Sequence, residues 1–115
     1  MKTATTEALT APDIEALKQA AGQASQLLKA LANPDRLLLL CQLTESEYCV
    51  SELEMLTGIR QPTLSQQLTV LREEALVSAR REGKQIFYSI ASKEALAVMQ
   101  VLYEQFCKDR KRSKR

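Results

Sequence analysis

Three cysteines and no histidine set the limits of the reactive chemistry open to this chain of 115 residues. Cys41 lies in LLLLCQL, Cys49 in CVS and Cys107 in YEQFCKD. A cysteine is a nucleophile or a metal ligand only as its thiolate, so its neighbours decide its use. Lys108 and Arg110 favour a thiolate at Cys107, against the negative end of the helix expected there. Cys41, set among leucines, is the more reluctant, and the exposed, acidic surroundings expected for Cys49 disfavour ionisation. Taken singly, each also reads as a small buried hydrophobe. Turnover by a thiol enzyme, a peroxidase or a persulfide transferase, finds no machinery. The chain lacks a histidine base, a C-x-x-C pair, a glycine-rich phosphate loop and a carboxylate in an evident apolar pocket. Borderline and soft metal ions need several Cys or His ligands, so no metal site is expected, and no cofactor either.

A second chemistry is concentrated between Gln61 and Gln66, where amides and hydroxyls crowd one short stretch. An amide donates and accepts at once, as the edge of adenine requires, and a hydroxyl can do either. The surrounding segment, CVSELEMLTGIRQPTLSQQLTVLREEALV, has the punctuation needed to present these groups. Ser51 with Glu54 three residues on predicts a capped short helix, and Gly58 ends it. Gln61 as cap and Pro62 as first residue predict a second helix. Leu64, Leu68, Leu71 and Ala75 share its inner face, leaving Pro62, Thr63, Gln66, Thr69 and Glu73 outside. Two short helices with a tight turn, the second polar at its start, fit a helix-turn-helix. A plain helical hairpin with solvated polar residues is the competing reading.

From Val77 the pattern becomes VSARREGKQIFYSI: β-branched and aromatic residues flank a Gly83-Lys84 turn, which predicts a β-hairpin. Arg80, Arg81 and Lys84 crowd its tip, suiting a wing that meets phosphates or the minor groove. A merely solvated turn would explain the charges alone, but not their place directly after a reading helix.

These pieces need a framework. Residues 1–11 read as a loose arm and 12–110 as one domain, followed by a basic tail at 111–115. Pro12 to Leu31 predicts a helix with Ile14, Leu17, Ala21, Ala24, Leu27, Leu28 and Leu31 in a stripe. Asn33 then caps a helix beginning at Pro34, and DRLLLLCQL is apolar nearly all round, so that helix belongs in the centre. Ser92 caps a last helix, to about Arg110, in which Ala95, Leu96, Val98, Met99, Val101, Leu102, Tyr103 and Phe106 exceed the needs of one face. Broad apolar stripes on the first and last helices predict a homodimer built on both. Two copies place two reading helices about one DNA turn apart, so a near-palindromic double-stranded site is the expected partner. The net charge of +2 hides an asymmetry: KDRKRSKR holds six of the sixteen basic residues, leaving ten against thirteen acids in residues 1–107. Cations grouped in hairpin and tail suggest a defined docking face rather than nonspecific coating. With no apolar run long enough for a bilayer and no leader pattern, a cytoplasmic protein without membrane contact is expected.

The order α-α-α-α-β-β-α, mainly helical with a small hairpin, together with LLKALANPDRLLLLCQL, SELEMLTGIRQPTLSQQLTVLREEALV and REGKQIFYSI, resembles the ArsR family of winged-helix repressors over nearly the whole chain. The resemblance implies a homodimeric repressor that leaves its operator when a chemical signal binds. By motif position, Gln61, Thr63, Ser65 and Gln66 look like the base-reading residues. Two departures are visible: Gln67 stands where the family often has histidine, and Ala75 where glycine usually precedes Leu-Val.

Many members of the family sense metals, but here the C-V-C pair reads Cys49-Val50-Ser51, and the histidines of the other family site are absent. A metal- or arsenite-responsive repressor therefore stands as the alternative. In Cys41 and Cys107 the chain is similar to the BigR-like or SqrR-like branch, which senses sulfide-derived persulfides and oxidants through two such cysteines. That resemblance implies a redox switch of Cys41 with Cys107, reactive sulfur as effector, and Cys49 as a bystander. An interaction module without DNA binding remains the third class.

Overall fold

The computed structural model describes residues 11–108, with side chains from Asp13 onward. The arm expected at 1–11, but for Ala11, the tail at 111–115 and the helix end near Arg110 lie outside the described residues. Helix α1 spans Ala11–Leu31 and α2 spans Pro34–Glu45. Asn33 caps α2 as expected, its Oδ1 accepting from the Arg36 N–H at 3.0 Å, with Pro34 in the first turn. Strand β1 is Tyr48–Cys49, α3 is Val50–Thr57 and α4 is Thr63–Glu73. Strands β2, Val77–Glu82, and β3, Gln85–Ile90, follow, then α5 at Lys93–Leu102. Ser92 caps α5, accepting from the Ala95 N–H at 3.0 Å.

The core is built largely of leucine. Leu39 and Leu40 of α2, Leu53 of α3, and Leu64, Leu68 and Leu71 of α4 are wholly or almost wholly buried. Each stabilises the fold by about 1.5–3 kcal/mol relative to exposure. Helix α2, apolar nearly all round, takes the central place: it touches α1, α3, α4, α5 and β3. Tyr88 of β3 with Ala95 and Met99 of α5 close the core on the far side.

The expected hairpin forms within a sheet of one strand more, and three other sequence expectations are corrected. The hairpin is part of a three-stranded antiparallel sheet, β1-β3-β2, because Tyr48 and Cys49 pair with Tyr88 and Phe87 of β3. Two residues are too few to show a strand period. The cap of α3 is Cys49 rather than Ser51: Glu52 Oε1 accepts from the Cys49 N–H at 2.9 Å, so the three-residue spacing holds two positions earlier. Ala75 is exposed rather than on the inner face of α4, since the chain has already turned at φ 62°. The last helix is not uniform: Tyr103–Lys108 winds as a π-helix, continuing from α5.

Helix α1 touches the core only near its end, at Leu27, Ala30 and Leu31. Residues 13–26 are exposed along their whole length.

Candidate DNA-reading surface and thiol cleft

The turn between α3 and α4 is held from inside. Gly58 adopts φ 77° and its N–H donates to the Glu54 carbonyl at 2.9 Å, closing α3 in the left-handed conformation. The Thr57 hydroxyl donates to the Leu53 carbonyl at 2.7 Å and accepts from the Ile59 N–H at 3.1 Å. Ile59 is buried beneath the turn, so the turn is anchored at both ends. Helix α4 begins at Thr63, one residue later than expected, with Pro62 at the cap position. Gln61 still caps through its side chain, Oε1 accepting from the Ser65 N–H at 3.1 Å.

The four residues assigned to base reading therefore lie along the entry and first turn of α4 and differ in what they can offer. Gln61, Ser65 and Gln66 are exposed and Thr63 is half-buried. Gln61 has its oxygen engaged by the helix end, whereas the Gln66 amide and Ser65 hydroxyl keep their side-chain groups open among the described residues. The Thr69 hydroxyl donates back to the Ser65 carbonyl at 2.9 Å, so it meets an outside group only as an acceptor.

An arginine not foreseen from sequence fixes the orientation of α4. Arg36 donates from Nη1 to Gln67 Oε1 at 2.8 Å, from Nε to the Ala30 carbonyl at 2.5 Å and from Nη2 to the Lys29 carbonyl at 3.4 Å. One guanidinium thus joins the carbonyl end of α1 to the middle of the reading helix. The departure at Gln67 is part of that joint. No spacing rule relates Arg36 to Gln67, 31 positions away, which is why the sequence carried no sign of it.

In the hairpin, Gly83 takes φ 63°, as the two-residue turn requires, and Glu82 faces Gln85 across it. Arg80 carries ion pairs that the sequence did not foresee. Its guanidinium forms a fork with Glu47, at 2.7 and 2.9 Å, bonds Glu82 at 2.7 Å, and lies 5.0 Å from the centre of the Phe87 ring. The fork holds the Glu47 carboxyl below its ordinary range and raises the pKa of Arg80. Arg80 thus faces two carboxylates at a surface open to solvent. Arg81 and Lys84 are exposed with no ion pair to a described residue.

The structure brings two of the three cysteines together. Cys41 of α2 and Cys107 of the π-helical turn, 66 positions apart, line one open cleft of about 540 Å³ with Glu45, Met99, Tyr103 and Glu104. Both thiols are free and half-buried. Burial pushes the Cys41 thiol pKa up, and the charges of Cys107 and then Glu45 add to the rise. Lys108, the cation expected to favour a Cys107 thiolate, bonds Glu104 at 3.4 Å. Cys49 lies elsewhere and is buried rather than exposed: strand pairing with Phe87 and the cap of α3 enclose it, its sulfur 3.4 Å from the Ser51 hydroxyl. Among the described residues, no three Cys, Asp or Glu side chains converge to hold a metal ion, and no helix is long and apolar enough to cross a membrane.

Residues 33–79, from the α2 cap through β2, match the model of the bacterial regulatory protein arsR family. A biofilm growth-associated repressor of Agrobacterium fabrum is 50% identical over 94 residues, which cover 82% of this chain and 80% of that protein. The crystal structure of the transcriptional repressor BigR from Xylella fastidiosa superposes with a TM-score of 0.76 at 48% identity, covering 81% of this chain and 95% of the other. A homodimeric winged helix-turn-helix DNA-binding domain from Mycobacterium bovis, solved in solution, superposes with a TM-score of 0.65 at 33% identity, covering 83% and 85%.

Proposed function

The chain belongs to the ArsR family of bacterial regulatory proteins, and we propose that it is a homodimeric DNA-binding repressor released from its operator when Cys41 and Cys107 are oxidised together by a persulfide or a related thiol oxidant. The observation that carries this reading is the shared cleft: only the fold brings these two thiols to one surface, close enough for the charge of one to raise the pKa of the other. The repressor relatives and the homodimeric neighbour support the rest.

DNA is met by the first turn of α4, with Gln61, Thr63, Ser65 and Gln66 toward the bases and Gln66 carrying most of the discrimination. Arg81 and Lys84 meet phosphates from the wing, while Arg80 holds the wing against Glu47. In the dimer, two reading helices about one DNA turn apart suit a near-palindromic operator.

The chemistry at the cleft balances in two steps. The Cys107 thiolate attacks the outer sulfur of a persulfide RSSH, whose S–S bond breaks; RSH leaves and Cys107 carries the persulfide. The Cys41 thiolate then attacks the inner sulfur, forming a Cys41–Cys107 disulfide and releasing hydrogen sulfide. Two thiols are oxidised and one sulfane sulfur is reduced. With three equivalents of RSSH, two sulfurs are instead inserted between the cysteines, three RSH and one hydrogen sulfide depart, and the third reagent serves as oxidant. Inserted sulfurs span more than the Cα separation of about 7 Å that limits a direct disulfide. Cys107 shares its turn with exposed Tyr103 and Phe106, two residues of the dimer stripe, so tying it to α2 biases dimer geometry and half-site spacing.

The test is a gel shift on promoter fragments titrated with cysteine persulfide. Release complete at a few equivalents per protomer is expected. Catalytic consumption of persulfide with the complex intact would point to an enzyme, and absence of any specific complex to an interaction module.

A further inference from the structure

Two carboxylates share the thiol cleft, one on each of the elements that carry its cysteines. Glu45 is four residues after Cys41 on α2, and Glu104 is three residues before Cys107 on the π-helical turn. Both are exposed at the mouth of the cleft. The remaining lining is uncharged apart from the thiols: Gln42, Thr44, Met99, Gln100 and Tyr103. Lys108 offsets Glu104 in part, through a bond of 3.4 Å, and leaves Glu45 without an opposing charge among the bonds of the described residues. An incoming oxidant must place its sulfur in line with a thiolate, and so brings its own substituents against these two negative groups.

We propose that Glu45 and Glu104 make the cleft a charge filter, admitting neutral and cationic persulfides and disulfides and slowing anionic ones. The proposal rests on the dithiol reading and adds the class of oxidant to it. Low-molecular-weight persulfides differ mainly in the charge of the group that carries the sulfur, so a filter of this kind decides which of them the switch reports. Local charge in a cleft changes association rates by factors of about 10 or more at low salt. Screening at physiological salt acts over about 8 Å, so carboxylates adjacent to the thiols keep part of their effect there.

The test follows the first exchange step with three disulfide probes: dianionic 5,5′-dithiobis(2-nitrobenzoate), neutral 4,4′-dithiodipyridine and dicationic cystamine. In each, the protein thiolate attacks one sulfur, the probe's S–S bond breaks, one thiol leaves and a mixed disulfide remains. Rates are measured on the full chain in a Cys49→Ser background, then in Glu45→Gln and Glu104→Gln. Neutralising Glu45 removes one cause of the raised Cys41 pKa and speeds all three probes alike at that thiol, whereas loss of the filter changes the ratios between them. The anionic-to-neutral ratio is expected to rise about 3- to 10-fold in at least one variant and the cationic-to-neutral ratio to fall, with added salt compressing both ratios in the parent protein. Ratios unchanged in both variants and insensitive to salt overturn the proposal, even if the Cys41–Cys107 link still forms under persulfide. Absence of that link would instead refute the dithiol reading and leave the ratios to report on Cys107 alone. Both carboxylates are at the surface, and the salt series on the parent protein needs no variant.

Discussion

Ala75 shows how a single residue can carry a visible cost. After α4 the Ala75 N–H donates to the Arg72 carbonyl and the Leu76 N–H to the Leu71 carbonyl, both at 2.9 Å, a helix ending that places Ala75 in the left-handed region at φ 62°. A Cβ there costs about 1 kcal/mol. Ala75→Gly should therefore raise the thermal unfolding midpoint by a few degrees, discounted for the greater freedom of glycine in the unfolded chain; an unchanged or lower midpoint contradicts the strain. Because the Cys41 pKa is raised, its thiolate fraction at neutral pH is depressed. The rate of the linking step should keep increasing with pH beyond the ordinary thiol range, and Glu45→Gln should move that profile to lower pH in single-turnover kinetics; a profile that levels off below the ordinary thiol value contradicts this. Glu47, with its pKa lowered by Arg80, holds the wing above the ordinary carboxylate range, and the hold is lost as pH falls through its depressed value. Glu47→Gln should weaken operator binding without altering its salt slope, whereas removing Arg81 or Lys84 should reduce the slope by about 1 each. A reduced slope on Arg80→Ala would show that Arg80 contacts phosphate after all.

At the scale of elements, much was legible because local rules governed it. The Asn33-Pro34 start, the Gly58 stop, the Ser92 cap and the Gly83-Lys84 turn each need only a few adjacent residues, and each stands where the sequence placed it. Elements that depend on distant partners were not legible. Strand β1 exists because β3 lies beside it, and the Arg36–Gln67 and Arg80–Glu47 bonds join segments more than thirty positions apart. The shared cleft was open to inference only through family resemblance, since a spacing of 66 positions says nothing about contact. The reading helix yields a direct prediction. Gln66→Ala should cost about 1–3 kcal/mol on the operator and little on nonspecific DNA; equal losses on both would assign Gln66 to general affinity instead.

At the scale of the whole molecule, the single chain leaves a large apolar surface in water. Leu17 and Leu28 on α1 are 53% and 58% exposed, and Val101 and Phe106 at the other end are 57% and 65% exposed. With every residue of α1 from 13 to 26 exposed, the helix has little to hold it in one chain. We propose that both stripes close on a second copy, as the excess of apolar positions on the first and last helices led us to expect. Sedimentation should find a dimer at micromolar concentration and a monomer after Leu17→Asp with Phe106→Asp. A stable wild-type monomer would contradict this. Coupling of that dimer to the thiols is read by one paired measurement on the operator complex: a gel shift and peptide-mapped mass after persulfide treatment, for the parent and each single cysteine variant. An intrachain Cys41–Cys107 link and DNA release are expected in the parent and in Cys49→Ser, with Cys41→Ser and Cys107→Ser remaining bound. Release by the Cys41→Ser, Cys107→Ser double variant, or a link mapped to Cys49, would contradict it.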